Sequence, residues 1–126
     1  MAQLHVELVA PDRKVWSGEA SIVIAKTVEG EIGIMSGHTP VLAVLQSGPV
    51  TIRSAAGEDV VAAVHGGFLS VADDVVTILA ELCELPEEID VAEAEAELQR
   101  ATSGAEYDSE AKRRAETRLR TVGRTQ

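Results

Sequence analysis

Four side chains of this 126-residue chain belong to the types that most often carry catalysis or bind metal: His5, His38, His65 and Cys83. The histidines show no local metal-ligand spacing. A Cys83–His65 pair would combine a nucleophile with its base. Cys83 is better interpreted as a small buried residue beside a strand, and His65 as a strand-end residue with a local hydrogen bond. We therefore predict no catalytic residue and no metal site. The alternative, a small hydrolase, requires a polar pocket beside His38 or His65.

Composition excludes several classes of protein. The chain has 21 acidic and 11 basic residues and a formal net charge of −10, which disfavours nucleic-acid binding because phosphates require basic patches. A single cysteine excludes an intramolecular disulfide and fits a reducing compartment. No window approaches the roughly eighteen apolar residues that span a bilayer, and no secretory signal is seen at the N-terminus. We expect a soluble intracellular chain without direct membrane insertion.

Short strands dominate the first two thirds of the chain. Apolar residues alternate in the segment 4–9, and β-branched residues are frequent in 20–28. Turn residues recur between the strands, as at 73–74. Because aromatic residues are rare, the core is expected to be aliphatic. Regularly spaced short strands predict an all-β domain, an antiparallel β-sandwich or barrel, over residues 1–86.

Beyond Pro86 the hydrophobic period becomes helical. Two stripes of mostly small apolar residues recur at helical spacing, and they comprise Val91, Ala94, Leu98 and Ala101, then Ala111, Ala115, Leu119 and Val122. Asp90 and Glu93 resemble a capping box, Ser103–Gly104 separates the helices, and Gly123 ends the second. Residues 87–126 are therefore predicted to form a C-terminal α-helical hairpin. Such short helices need docking for stability, so we expect a movable tail.

One long motif and two shorter ones carry a family resemblance. Residues 29–42 read E-G-E-I-G-I-M-S-G-H-T-P-V-L, residues 65–71 read H-G-G-F-L-S-V, and residues 76–81 read V-T-I-L-A-E. Together they resemble the ε subunit of F-type ATP synthases, and the resemblance reaches Glu88-Ile89-Asp90. It implies a β-sandwich followed by a helical tail, the same arrangement that the periodicity predicts.

The resemblance also implies which positions contact partners: Glu29, Gly30, Glu31, His38, Val41 and Leu42. The first three match positions near the polar loops of the c-ring, and the loop with His38 faces the rotor. The alternative for His38 is a loop histidine that holds its turn through a backbone hydrogen bond. The apolar run 41–45 is expected to be mostly core, and any outward member of it would resemble the face that packs on the γ subunit.

An ATP motif of the family is only partly present. Ile89, Asp90 and Ala94 match I-D-x-x-R-A, by which some members bind ATP on the tail. Glu93 stands where that motif has arginine, and a carboxylate repels phosphate. We therefore predict no cofactor, and ATP binding to the tail would need compensation from Arg100.

The charges of the tail are segregated. Residues 87–108 hold eight acids and one base, whereas six bases follow: Lys112, Arg113, Arg114, Arg118, Arg120 and Arg124. Charge runs usually form a solvated helix face. The resemblance implies an alternative, in which the tail has two states. Folded back, its bases complement the acidic first helix, and extended, they reach acidic segments of the catalytic β subunits and oppose ATP hydrolysis.

These features predict a non-catalytic subunit of the ATP synthase central stalk. It would couple proton-driven rotation of the c-ring and γ subunit to ATP synthesis, with inhibition of ATP hydrolysis by the C-terminal helices. The expected partners are γ, the c-ring and, through the helices, the α and β subunits. The expected location is the cytoplasmic face of the bacterial cell membrane, held there by the complex. The alternative is a free-standing nucleotide-sensing β-sandwich module with a helical clamp.

Overall fold

The computed structural model describes residues 3–103 and 108–123. Nine strands come first, then a 3-10 helix at Pro86–Glu88 and two α-helices. The strands are β1 Leu4–Ala10, β2 Arg13–Thr27, β3 Gly30–Met35, β4 Val41–Leu45, β5 Gly48–Ser54, β6 Asp59–Val64, β7 Gly67–Ala72, β8 Val75–Ala80 and β9 Cys83–Glu84. The helices are α1 Val91–Thr102 and α2 Ser109–Thr121. Within the described ranges, no helix has the length and apolar character needed to cross a bilayer.

The sandwich is built around β2, which takes part in both of its sheets. The N-terminal part of β2 pairs with β1, and its C-terminal part pairs with β3 and β5. One sheet continues through β8, β7 and β4, and the other through β6 and β9. The segment 20–28, in which β-branched residues are frequent, thus belongs almost entirely to a longer strand of 15 residues. A predominantly antiparallel β-sandwich is confirmed.

One strand pair departs from the antiparallel expectation. β1 and β8 run parallel, with His5 opposite Val75 and Val9 opposite Leu79. Alternation of apolar and polar residues identifies a half-buried strand, but it carries no information about strand direction. The parallel pair places the first strand beside the last long strand, so that the beginning and the end of the sandwich domain are hydrogen-bonded to each other.

The core between the two sheets is aliphatic, as composition predicts. Its largest fully buried side chains include Leu8, Ile34, Ile52, Leu69 and Ile78. Alternate residues of β1 are buried, which confirms the alternation read from segment 4–9. Two aromatic side chains lie outside this cluster: Trp16 packs against it, and Phe68 is 50% exposed.

The apolar run of β4 is not mostly core, which corrects the expectation from sequence. Leu45 is buried and Val41 packs against the core, but Leu42 is 73% and Val44 47% exposed. In a strand, successive side chains point to opposite faces, so a continuous apolar run at the surface of a sandwich must expose alternate members. Packing of the sandwich core therefore does not explain why Leu42 and Val44 are apolar.

The helical hairpin begins as predicted. Asp90 is the N-cap of α1, and its Oδ1 accepts a hydrogen bond from the backbone N–H of Glu93 at 3.0 Å. Glu93 is instead bonded by its side chain to Arg100, at 3.1 Å. Gly123 follows α2 with φ +84°, a conformation suited to a helix stop. The predicted break at Gly104 and the base Arg124 lie outside the described residues.

Helix α2 is buried on two sides, whereas its sequence predicts one stripe. Ala115 and Leu119 belong to the predicted stripe, and Thr117 and Thr121 form a second one on the opposite side. The cause is that α2 packs both on α1 and on strands β5 and β6. The Thr121 hydroxyl donates to the Thr117 carbonyl oxygen at 2.7 Å, so that this polar group is satisfied inside the contact.

Candidate functional site

The outward surface of β4, β7 and β8 carries an apolar patch. We call it the apolar face, and its members are Leu42, Val44, Phe68, Val75 and Leu79, each between 42% and 73% exposed. Val44 lies opposite Phe68, and Phe68 lies opposite Leu79, so three of them form a row across neighbouring strands. Clustered exposed apolar side chains on one sheet mark a surface that another molecule covers. Of the predicted partner positions, Leu42 belongs to this face.

Val41 also lies in β4 but packs against the core, and the remaining predicted partner positions lie at opposite ends of β3. Glu29 lies in the β2–β3 turn, Gly30 and Glu31 open β3, and both glutamates are exposed. His38 lies in the loop after the far end of β3, about 17 Å away at the usual rise of a strand. The structure therefore does not bring these residues together into one site. Their contacts with partners stay predictions.

The loop with His38 is held by the sheet next to it. The His38 ring is half-buried, and its Nδ1 lies 2.6 Å from the carbonyl oxygen of Thr39. Asp74, in the β7–β8 turn, accepts hydrogen bonds from the Gly37 N–H at 2.8 Å and the Ser36 hydroxyl at 3.1 Å. The backbone hydrogen bond proposed for His38 as the structural alternative is present.

His65 bonds to distant parts of the sandwich, rather than locally as expected, and is linked to the helices through Glu84. Its Nδ1 lies 2.7 Å from Ser47 Oγ and its Nε2 lies 3.0 Å from Glu84 Oε1. Glu84 accepts a second hydrogen bond from Arg118 Nε at 2.7 Å, and Arg118 Nη1 donates to Glu97 at 2.9 Å. We call these five residues the polar bridge. Their bonds join the β4–β5 connection, β9, α1 and α2 in one chain.

The turn after His65 depends on two glycines. Gly66 and Gly67 have φ values of +83° and +127°, a region that side chains with a Cβ disfavour. A Cβ on Gly67 would overlap the carbonyl oxygen of Leu79 on the neighbouring strand. The H-G-G-F motif thus sends the His65 ring inward, where its side chain is 4% exposed, and the Phe68 ring outward into the apolar face.

Burial and the nearby charges together favour the neutral form of His65. Burial lowers the pKa of His65, the Glu84 hydrogen bond raises it, and the positive charges of Arg118 and Arg114 lower it further, with a net decrease. Burial also opposes ionisation of Glu84, but hydrogen bonds from Arg118 and His65 outweigh that effect and leave its pKa below the ordinary value. The neutral ring that fits both partners carries its proton on Nε2, facing Glu84, and accepts from Ser47.

Ser47, His65 and Glu84 are also the residue types of a hydrolytic triad, so catalysis must be weighed. In a triad the carboxylate stabilises the imidazolium that forms, but here Arg118 neutralises Glu84. A lowered pKa further weakens His65 as a general base. Cys83 is no better nucleophile, because burial raises the pKa of its thiol to about 11 and both His65 nitrogens are engaged elsewhere. The arrangement suits a structural bridge.

A cleft of about 490 Å³ lies beside this bridge, between α2 and the sandwich. Val44 and Phe68 of the apolar face line it on one side, and Arg113 and Arg114 of α2 line it on another. A polar pocket beside His65 is therefore present, as the hydrolase alternative requires. The lowered pKa of His65, however, makes it a weak general base. In the described part of the chain, no group of three His, Cys, Asp or Glu side chains is placed to hold a metal ion.

The residues of the partial ATP motif serve the fold. Ile89 and Ala94 are buried, and Asp90 caps α1. The side chains of Glu93 and Arg100 pair with each other, so the arginine that was to compensate for Glu93 is engaged by it. Among the four predicted tail arginines, Arg118 is part of the polar bridge, Arg113 and Arg120 are exposed, and Arg114 is half-buried.

Sequence comparison identifies the sandwich domain. Residues 3–86 match the family described as "ATP synthase, Delta/Epsilon chain, beta-sandwich domain". The chain is 62% identical over 121 residues to the ATP synthase epsilon chain of Streptomyces avermitilis, covering 96% of each. It is 55% identical over 125 residues to the epsilon chain of Rhodococcus jostii, covering 98% of this chain and 99% of that one.

Solved structures extend the similarity to the whole fold. A chain of the Euglena gracilis mitochondrial ATP synthase (OSCP/F1/c-ring, rotational state 1) matches with a TM-score of 0.66 at 25% identity, covering 98% of this chain and 79% of that one. A chain of the Tetrahymena thermophila ATP synthase central stalk and c-ring shares the fold, with a TM-score of 0.60, 23% identity and coverage of 97% and 92%. The chain therefore belongs to the epsilon chains of ATP synthase, within the delta/epsilon family.

Proposed function

We propose that the chain works in the central stalk of a proton-driven ATP synthase, where its sandwich couples rotation of the c-ring and γ subunit to ATP synthesis. As a member of this family, it is a non-catalytic subunit. A stalk subunit must hold its neighbours firmly through a rotation cycle, which requires a large, preformed contact surface. The apolar face on β4, β7 and β8 is the observation that supports the proposal.

The γ subunit is the proposed occupant of the apolar face. The exposed members of this face are uncharged, in a chain whose net charge is −10, so they form an exception on an otherwise acidic molecule. Protein interfaces are depleted of charge and enriched in large apolar side chains at their centre. Leu42, the most exposed member of the face, and Phe68, its aromatic member, would be the anchors of the contact.

The c-ring is the proposed partner of the β2–β3 turn. Glu29 and Glu31 are exposed there, next to the turn that Thr27 holds by donating its hydroxyl to the Gly30 carbonyl at 2.7 Å. A stiff, charged turn suits contact with polar loops of another subunit. Such contacts would place the chain at the cytoplasmic face of the bacterial membrane, held there by partners.

Inhibition of ATP hydrolysis is the proposed role of the tail. Arg113 and Arg120 are exposed on α2, and Arg114 and Arg118 face the sandwich, so release of α2 would make all four available to acidic partners. The interface of α2 with the sandwich includes threonines and an ion pair, which water can replace at lower cost than it replaces an aliphatic core.

Recovery of a tagged chain from membranes of its own cell tests stalk membership. We expect γ, α, β and the c-ring to come with it in fixed proportion. Recovery of the chain alone in mild detergent and low salt would contradict the proposal. Inhibition is tested separately, by deleting residues 88–126 within the complex. We expect ATP hydrolysis to rise, and unchanged hydrolysis would remove the inhibitory role while leaving stalk membership intact.

A further inference from the structure

The polar bridge connects helices α1 and α2 of the tail to the sandwich. Arg118 is 17% exposed and binds two carboxylates, Glu84 of the sandwich and Glu97 of α1. Glu84 in turn is shared between Arg118 of the tail and His65 of the sandwich. A change of charge at His65 therefore acts directly on the carboxylate that holds α2.

The groups that face His65 have opposing effects on its charge. They come from every element that meets the ring or lines the cleft beside it: Ser47, Glu81, Glu84, Glu110, Arg113, Arg114 and Arg118. Ser47 is uncharged and can accept as well as donate. Glu84 favours the protonated ring, but its charge is shared with Arg118. The two cations that act on the ring, Arg114 and Arg118, both belong to α2.

We propose that protonation of His65 releases α2 from the sandwich, so that the docked tail is a state of neutral pH. The neutral ring already donates from Nε2 to the Glu84 oxygen that Arg118 binds, and protonation adds a proton at Nδ1, facing Ser47, together with a positive charge. That charge competes with the charge of Arg118 for Glu84 and is repelled by the positive charges that α2 brings. When α2 leaves, those charges go with it and Glu84 becomes free to pair with the imidazolium alone. Proton uptake by His65 and docking of α2 therefore oppose each other.

The sign of the pH dependence follows from linkage. In the docked state, burial and the α2 cations Arg118 and Arg114 lower the pKa of His65, so docking is fully supported above the ordinary value of 6.5 and weakens as pH falls below it. Each unit by which docking lowers that pKa changes the docking equilibrium by about tenfold across the window. The ion pair of the preceding linker does not change there, because the pKa of Glu88, which anchors that linker, is about 2.

Two measurements on the full chain test whether protonation of His65 releases α2. Hydrogen exchange of α2 amides, corrected for intrinsic rates, is compared at pH 7.5 and pH 5.5. We expect protection of α2 to fall at pH 5.5, with the core strands unchanged. The same comparison is made in His65→Gln, which keeps two hydrogen-bonding atoms but does not titrate. We expect this variant to lose the pH dependence. Equal protection of wild-type α2 at both pH values, or the same pH dependence in His65→Gln, would overturn the proposal.

A second measurement does not depend on the folding of His65→Gln. The pKa of His65 is followed by NMR in wild type, in Arg118→Gln and in the control Arg120→Gln, whose arginine is exposed on α2. We expect the pKa to rise in Arg118→Gln only. Identical pKa values of His65 in all three chains would show that Arg118 of α2 does not affect the charge of the His65 ring, and would overturn the proposal. Any effect of release on ATP hydrolysis rests on the function proposed above, whereas these measurements use the isolated chain and are independent of it.

Discussion

Arg13 and Glu88 form a two-point ion pair, with Nη1 to Oε2 at 2.7 Å and Nη2 to Oε1 at 2.6 Å. Arg13 opens β2 and Glu88 closes the 3-10 helix, so the pair fastens the linker between sandwich and tail. Glu88 Oε1 also accepts from the Leu85 N–H at 2.8 Å. The segment before α1 is thereby fixed to the sandwich, and any movement of the tail must begin after it.

The first prediction concerns the pH dependence of this linker. The hydrogen bonds from Arg13 lower the pKa of Glu88 from 4.5 to about 2. The linker tie is therefore complete above pH 4.5 and is lost as pH falls toward 2. We expect the Leu85 amide, followed by NMR, to lose protection in that window in wild type. Glu88→Ala, which removes the accepting oxygens, should show low protection at every pH, and equal protection in both chains would contradict the role of the pair.

The second prediction compares two neighbours on β8. Ile78 is fully buried and Leu79 is 51% exposed. Ile78→Ala should lower the free energy of unfolding by about 2–5 kcal/mol, since it leaves a cavity in a close-packed core. Leu79→Ala should lower it by at most about 1 kcal/mol, because half of its surface is already in water. Urea denaturation of both variants measures these free energies of unfolding. Equal decreases in the two variants would contradict the assignment of Ile78 to the core and Leu79 to the surface.

The third prediction tests the apolar face. Leu42→Glu places a charge at the most exposed apolar position, and we expect it to abolish recovery of γ with the tagged chain. Its free energy of unfolding should stay within about 0.5 kcal/mol of wild type, since the side chain makes no core contact. Leu82→Glu is the matched control, because Leu82 is 45% exposed but lies outside the face. Loss of γ in the control, or its retention in Leu42→Glu, would contradict the proposed interface.

The fourth prediction concerns ATP. Because Glu93 occupies the arginine position of the motif and pairs with Arg100, we expect millimolar ATP to leave the melting temperature of the chain unchanged. Glu93→Arg restores the motif and frees Arg100, and a rise in melting temperature with ATP is expected in that variant only. A rise in wild type would favour the nucleotide-sensing alternative.

Most of the fold can be predicted from local features of the sequence. The alternation in segment 4–9 indicates which residues of β1 are buried, and Asp90 and Gly123 mark helix ends because capping chemistry is local. The turn at 73–74 was visible for the same reason: Asp73 and Asp74 have φ values of +50° and +62°, which aspartate tolerates. Each of these signals comes from a few adjacent residues.

The candidate sites depend on contacts that spacing does not encode. His65 meets Glu84 and, through it, Arg118, and only the folded chain brings these three together. Likewise, Leu42 and Leu45 are both leucines of one apolar run, and pattern alone cannot say which belongs to the core. The residue type of Thr117 predicts a surface position, but Thr117 is buried because α2 is covered on two sides.

The parallel pairing of β1 with β8 has a consequence for biosynthesis. His5 leaves the ribosome early, but its partner Val75 is made only after every other long strand of the sandwich. Until then, β1 has one of its two edges open, and contacts between such distant segments form slowly. We expect the nascent sandwich to stay incomplete until β8 has emerged. Its exposed edge in that interval is the point at which a chaperone would be needed most.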